Sequence, residues 1–203
     1  MTEPETGPGS ARIGVVEDFV PPGDCARIVS ALRATPATSR YNGPRRLELP
    51  ARQLLVSDPA VYRLVSAVRR RIRDSVRACY SEPNELFADF TVLTEMRAGD
   101  RHVRHADSER RTGDSWEPNH TPQRTYTGIV YLTSANADFR GGTITFTALG
   151  RPIEPKAGLL VVFRCDRRYE HEVAPVLEGS RVALSCWFTG SRRHAEPWPD
   201  PPP

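Results

Sequence analysis

Apolar residues return at three- and four-residue steps through "SDPAVYRLVSAVRRRIRDSVRACY". Val61, Leu64, Val65, Val68, Ile72, Val76 and Cys79 form one stripe, the mark of a helix with one face toward a core. Asp58 supplies the cap and Pro59 the first helical position, where the missing N–H costs nothing. "ARIGVVEDFVPP" reads as a brief apolar strand and a stop. A second helix is predicted after it, capped at Gly23-Asp24, with Ala26, Ile28, Val29 and Leu32 on its apolar face. After Pro83 the period shortens to that of strands. "FADFTVLTEMRA", "RTYTGIVYLTS" (124–134), "GGTITFTAL" (141–149), "KAGLLVVFRC" (156–165) and "SRVALSCWFTG" (180–190) carry the β-branched and aromatic runs. Helices first and at least six strands after them predict a mainly β fold, a sheet sandwich or jelly roll buttressed by helices. The polar stretch 108–123 reads as an irregular loop of the kind that binds ligands or stays disordered. Residues 1–10 and the Pro-rich tail 191–203 read as disordered. The folded part is then 11–190, with helical support over 20–80 and a β core over 88–190.

Composition narrows this picture more than it extends it. The 203 residues suffice for one domain with a sizeable core. The net charge is +3, from 28 basic and 25 acidic residues, and the basic residues are scattered. That argues against a nucleic-acid footprint. The densest basic cluster, Arg69-Arg70-Arg71, lies on the long helix and reads as a solvated face. Cys25, Cys79, Cys165 and Cys186 stand far apart with no CxxC pair, against a zinc ribbon or a disulfide framework. No apolar run approaches the ~20 residues of a membrane span. A cytoplasmic protein without membrane partners is expected.

The chemistry concentrates in "RHVRHADSER" (101–110). His105 and Asp107 are two apart, so on a strand both point to one face. His171, ahead of a late apolar strand, offers a second imidazole. Two imidazoles and one carboxylate are the donor set of a non-haem Fe(II) facial triad, which leaves further positions open. Taken alone, His-x-Asp is a weak signal that fits a solvated surface pair better than a metal site.

The ordered pieces "HAD" at 105, "RTYTGIVYLT" at 124, "DFRGGTITF" at 138, "IEPKAGLLVVF" at 153 and "HEVAPVLEGSRVALSCWF" at 171 change that balance. Over roughly residues 88–190 the chain resembles the Fe(II)/2-oxoglutarate-dependent oxygenase superfamily in its prolyl hydroxylase branch. The resemblance implies a double-stranded β-helix. It also implies His105, Asp107 and His171 as iron ligands, with 2-oxoglutarate as cosubstrate, O2 as co-reactant and ascorbate as a possible reductant. Arg181 matches the basic residue that holds the distal carboxylate of 2-oxoglutarate, and Tyr131 a tyrosine that assists it. The alternatives are an internal ion pair for Arg181 and plain core packing for Tyr131. His102 stands where many relatives carry a tyrosine, and is either a donor toward the cosubstrate or a solvent-facing side chain. Glu95 or Met96 stands near the place of another tyrosine of the pattern, and Thr133 where an asparagine is frequent. Arg124 begins a strand at a position that often faces substrate, or else is a solvated strand end. Trp116 and His120 lie in the long loop that would close over a substrate. The implied reaction is hydroxylation of an unactivated C–H bond in a proline-like or other amino-acid substrate, free or peptide-borne. Asp107 sets that apart from halogenation. A non-catalytic barrel that senses or scaffolds is the alternative, and a cupin-type enzyme without 2-oxoglutarate is a third reading.

Overall fold

The structure is a computed structural model that describes residues 12–36 and 46–199. The expected disordered segment 1–10 lies outside the described residues. In chain order the elements are β1 (Gly14–Val16), α1 (Pro22–Ala34), β2 (Leu47–Pro50), α2 (Leu54–Ser57), α3 (Pro59–Tyr80), β3 (Phe87–Arg97), β4 (His102–His105), β5 (Glu109–Thr112) and β6 (Ser115–Pro118). Then follow β7 (Tyr126–Tyr131), β8 (Phe139–Gly141), β9 (Ile144–Phe146), β10 (Arg151–Ile153), β11 (Leu160–Arg164), β12 (His171–Val173) and β13 (Val176–Thr189).

The main sheet runs β1-β11-β7-β13-β3-β2, with β8 also on β13. A second sheet runs β10-β9-β12-β4. The inner strands of the main sheet (β3, β7, β11 and the second half of β13) are largely buried on both faces, and the alternation of their side chains sorts them. Leu93, Val130, Leu160, Val162, Val182 and Leu184 pack with the helices. Met96, Tyr131, Val161, Phe163 and Ala183 pack with Phe146, Ile153 and Val173 of the second sheet. Because the period is two, a slip of one residue would exchange the two sets wholesale. The long helix α3 presses its stripe (Val61, Val65, Val68, Ile72, Val76) onto the first set. Contact is close enough that a Cβ on Gly128 would sit 2.2 Å from the Ile72 side chain, so only glycine fits there.

The cap expected on α3 is present: Asp58 accepts from the Val61 N–H at 3.0 Å. The cap expected on α1 is not. That helix starts earlier, at Pro22 with Pro21 at the cap position, and Asp24 sits in its first turn beside Arg27 instead. Proline's fixed φ starts a helix without a side-chain acceptor. The stretch 108–123 also differs from expectation, since β5 and β6 pair as a hairpin within it.

Two further expectations give way to long-range contacts. Of the arginine triplet, Arg69 reaches Thr91 and Glu196, and Arg71 donates to the Phe19 carbonyl at 2.6 Å. The tail from 191 to 199 is docked. Trp198 stacks on Tyr62 at 5.0 Å, donates to Ser66 at 2.9 Å and lies under the Arg69 guanidinium. The prolines keep the tail free of α-helix and strand apart from one 3-10 turn at Arg192–His194, but they do not prevent adhesion of one tryptophan. Trp198→Ala should lower stability by about 2 kcal/mol, read from the urea midpoint.

Glu95, on the helix side of β3, accepts from Arg33 at 3.0 Å, Arg97 at 2.8 Å and Ser180 at 2.5 Å. Burial opposes its ionisation, but these donors outweigh burial and hold the carboxyl below its ordinary value. A carboxylate with a depressed folded pKa contributes stability above the unfolded pKa and loses it as pH falls. Wild-type denaturant midpoints should therefore fall steeply below the ordinary range near 4.5, while Glu95→Gln, weaker at pH 7, should fall less. Parallel curves would contradict this role.

Candidate metal centre and substrate cleft

The two histidines of the expected triad meet because their strands pair. His171 on β12 lies directly opposite His105 at the end of β4. Their rings are 4.3 Å apart by centroid. Asp107 follows β4, with its Oδ1 3.4 Å from His105 Nε2. One ligand atom from each of His105, Asp107 and His171 falls within 4.8 Å of the others. The backbone after β4 is pinned by its neighbours: Ser108 N–H donates to the Cys165 carbonyl at 3.0 Å, and Thr121 hydroxyl to the Asp107 carbonyl at 2.9 Å.

Local hydrogen bonds prepare both imidazoles. His105 Nδ1 is 2.9 Å from the Val103 carbonyl, and His171 Nδ1 is 2.9 Å from the Tyr169 carbonyl. A carbonyl only accepts, so each Nδ1 carries a proton and each Nε2 is the ring nitrogen left toward the cluster, that of His105 facing Asp107. Burial, then the neighbouring His105, lowers the pKa of His171 to about 4. It is a neutral imidazole at neutral pH, the form that ligates. For His105 burial works the same way, but the hydrogen bond and charge of Asp107 outweigh it and raise the pKa. Asp107 is shifted down although burial alone would raise it, because His105, His171 and Thr127 favour the carboxylate.

Arg181 is 4% exposed and points from β13 into the same cavity. Its Nε donates to the Gly142 carbonyl at 3.0 Å, and its guanidinium lies over the Tyr131 ring at 5.0 Å. Gly142, the second glycine of the Gly-Gly pair, has φ +66°, and a Cβ there would come within 2.9 Å of the Arg181 side chain. Among the described residues no acid pairs with Arg181, so the expected alternative of an internal ion pair is not what the fold builds. The Tyr131 hydroxyl beside it is buried and makes no hydrogen bond of ordinary geometry among the described residues. Burial raises its pKa, with the Arg181 charge opposing.

The remaining expected residues line the way in. His102 stacks on His105 at 4.1 Å and borders both the inner cavity and an outer cleft of about 620 Å³, so it does not simply face solvent. Burial, then His105, lowers its pKa to about 3. Trp116 reaches the outer cleft from β6, and His120 and Arg124 border it too. Arg124 is no solvated strand end. It is tied to Asp89 at 2.7 Å and stacked on Trp187 at 4.4 Å, whose other neighbour is Phe90. Met96, not Glu95, faces the inner cavity, and Thr133 accepts from the Val182 N–H at 2.8 Å.

Sequence reasoning assigned no role to Arg46, Thr127, Cys165 or Trp187. Arg46 is buried, ion-paired with Glu48 at 2.8 Å, and borders both spaces. Thr127 donates to Asp107 Oδ2 at 2.5 Å. Trp187 follows Arg181 by six residues on the same face of β13, a relation that the two-residue period carries.

A family model described as the 2OG-Fe(II) oxygenase superfamily matches residues 91–189. The mouse (Mus musculus) protein named prolyl 3-hydroxylase 3 is 32% identical over 152 residues, 66% of this chain. The chain spans only 20% of that protein's length. The mouse 2-oxoglutarate and iron-dependent oxygenase domain-containing protein 3 is 31% identical over 138 residues, 62% of this chain and 41% of that one. Among solved structures, the viral collagen prolyl hydroxylase of Paramecium Bursaria Chlorella virus-1, in a 2-oxoglutarate complex, superposes with TM-score 0.65 at 16% identity. It covers 89% of this chain and 96% of that one. A Pseudomonas putida prolyl-4-hydroxylase superposes with TM-score 0.62 at 21% identity, covering 89% and 93%. These likenesses establish the fold as the double-stranded β-helix. With the His-Asp-His cluster opposite a buried guanidinium, residues 91–189 are similar to a 2OG-Fe(II) oxygenase domain in sequence and carry a donor set of the matching kind.

Proposed function

We propose that this protein is an Fe(II)/2-oxoglutarate-dependent dioxygenase that hydroxylates a C–H bond of a prolyl or similar residue carried on a peptide. The observation that carries this reading is Arg181: a buried guanidinium, without an acidic partner among the described residues, in the cavity that holds the His-Asp-His donors. A charge so placed is costly unless a ligand neutralises it. The donor set fits a ferrous ion, with Nε2 of His105, Nε2 of His171 and Asp107 as ligands. Arg181 then receives the distal carboxylate of 2-oxoglutarate through its fork of donors, and the Tyr131 hydroxyl gains the partner it lacks. Loaded with these groups, the site supplies the chemistry by which O2 and 2-oxoglutarate become succinate, CO2 and a hydroxyl group on the substrate, ascorbate serving as reductant for stray oxidation.

The protein's own part is binding, orientation and exclusion of water. The neutral His171 imidazole offers its lone pair without loss of a proton, while His105 shares its Nε2 with the Asp107 carboxylate. Trp116, Trp187 and Phe90 give the cleft apolar walls, and the Asp89–Arg124 pair fixes the Trp187 indole. A cleft of about 620 Å³ is in the range that takes ligands well above one amino acid in size. That favours a peptide-borne substrate over a free amino acid, and the names of the relatives favour proline. The intact donor set with its anion-binding arginine favours an enzyme over a non-catalytic sensor or scaffold. Among the described residues no helix is long and apolar enough to cross a membrane. The free thiols of Cys25, Cys79, Cys165 and Cys186 support a cytoplasmic site of action.

Protein loaded anaerobically with Fe(II) should develop a weak visible charge-transfer band with 2-oxoglutarate and release succinate on admission of air. Pro-containing peptides should raise that release above the unstimulated rate, free proline and pipecolate should not, and Asp107→Ala should abolish it. Stimulation by free amino acids alone would overturn the peptide reading. A protein giving neither band nor succinate is a scaffold, and turnover without the keto acid would mark a cupin-type enzyme.

A further inference from the structure

We propose that Thr127 and Cys165 are positioning residues that tie one oxygen of Asp107 and so commit the other to the metal; this rests on the metal reading of the site. Asp107 has two carboxylate oxygens in different surroundings. Oδ1 faces the His105 Nε2 at 3.4 Å. Oδ2 accepts from the Thr127 hydroxyl at 2.5 Å. That hydroxyl also lies 3.2 Å from Cys165 Sγ.

The direction of each bond follows from counting hydrogens. The carboxylate has none to give, so the single hydroxyl hydrogen of Thr127 goes to Oδ2. Only lone pairs of Oγ1 then remain toward Cys165, so the thiol donates. Burial pushes the Cys165 thiol well above its ordinary value, which keeps that hydrogen in place. The result is a one-way chain, S–H to O–H to carboxylate, among residues 8% (Asp107), 1% (Thr127) and 1% (Cys165) exposed.

The chain is anchored on rigid elements. Thr127 is in β7, in register opposite Phe163 of β11, and Cys165 follows β11 with its N–H on the Thr125 carbonyl at 3.1 Å. Cys165 also holds the other side of the loop. Its carbonyl accepts both the N–H and the hydroxyl of Ser108, each at 3.0 Å. One residue thus fixes the backbone next to Asp107 and, through Thr127, its side chain. Occupation of Oδ2 makes Asp107 a one-oxygen ligand. A two-oxygen carboxylate would take a coordination position that a bidentate keto acid and O2 require.

The test uses the full-length protein stripped of metal by chelation, with Mn(II) as the probe and the EPR signal of free Mn(II) as the readout. Thr127→Val keeps the branched shape and removes the donor. It should weaken Mn(II) binding by roughly 10- to 100-fold, as loss of an outer partner of a ligand commonly does. Thr127→Ser restores the donor and should bind within about threefold of wild type. Cys165→Ser should do the same, while Cys165→Ala should fall between. Co(II) supplies a second readout, since a change from one-oxygen to two-oxygen ligation in Thr127→Val alters its d–d bands. Were Thr127 only a packing residue, Thr127→Val would keep wild-type affinity and bands, and that result overturns the proposal. A weakened Thr127→Val without recovery in Thr127→Ser overturns it as well. Absence of Mn(II) uptake by the wild type would instead overturn the metal site on which the proposal stands.

Discussion

A guanidinium sealed between two sheets, with no acid beside it among the described residues, sets the terms for the rest of this molecule. The fold supplies Arg181 with one backbone carbonyl, one aromatic face and one thioether, at Gly142, Tyr131 and Met96. None of these cancels a charge. Burial of such a group costs several kcal/mol unless an anion joins it. The protein carries that cost in a cavity whose other end bears two imidazoles and a carboxylate. Under the proposed reading, a ferrous ion on those donors and the distal carboxylate of 2-oxoglutarate on Arg181 would relieve both ends.

The sheet architecture makes this arrangement possible. Arg181, Ala183, Ser185 and Trp187 share one face of β13, while Val182, Leu184, Cys186 and Phe188 pack with the helices. The apolar set on the helix side therefore locks the register that aims Arg181 inward. On the opposing sheet the pairing of β12 with β4 brings His171 and His105 together across more than sixty residues of chain. Neither function could be moved by one position without turning a core outward.

Much of this could be read from residues alone, for identifiable reasons. The stripe on α3 and its Asp58 cap are local signals and stand as read. The β runs and the five ordered motifs carried the second half, where the spacing of His105, Asp107, His171 and Arg181 is dictated by strand length. What could not be read depends on contacts remote in sequence. Nothing local in "SRRHAEPWPDPPP" reveals that Trp198 has a seat on Tyr62. The hairpin of β5 and β6 hides in a charged stretch because both its strands are largely exposed and lack an apolar face. Thr127 looks like any β-branched strand residue until Asp107 is placed beside it. Arg124 and Arg46 each needed their acids, Asp89 and Glu48, before a role was visible.

Calorimetric titration of the Mn(II)-loaded protein with 2-oxoglutarate and with pyruvate, which lacks the distal carboxylate, tests the role of Arg181 most directly. Wild type should bind 2-oxoglutarate roughly 10- to 100-fold more tightly than pyruvate, the worth of hydrogen bonds to a charged group in a dry site. In Arg181→Gln that preference should disappear while pyruvate binding is kept. A variant that still prefers 2-oxoglutarate by the wild-type margin would contradict the account.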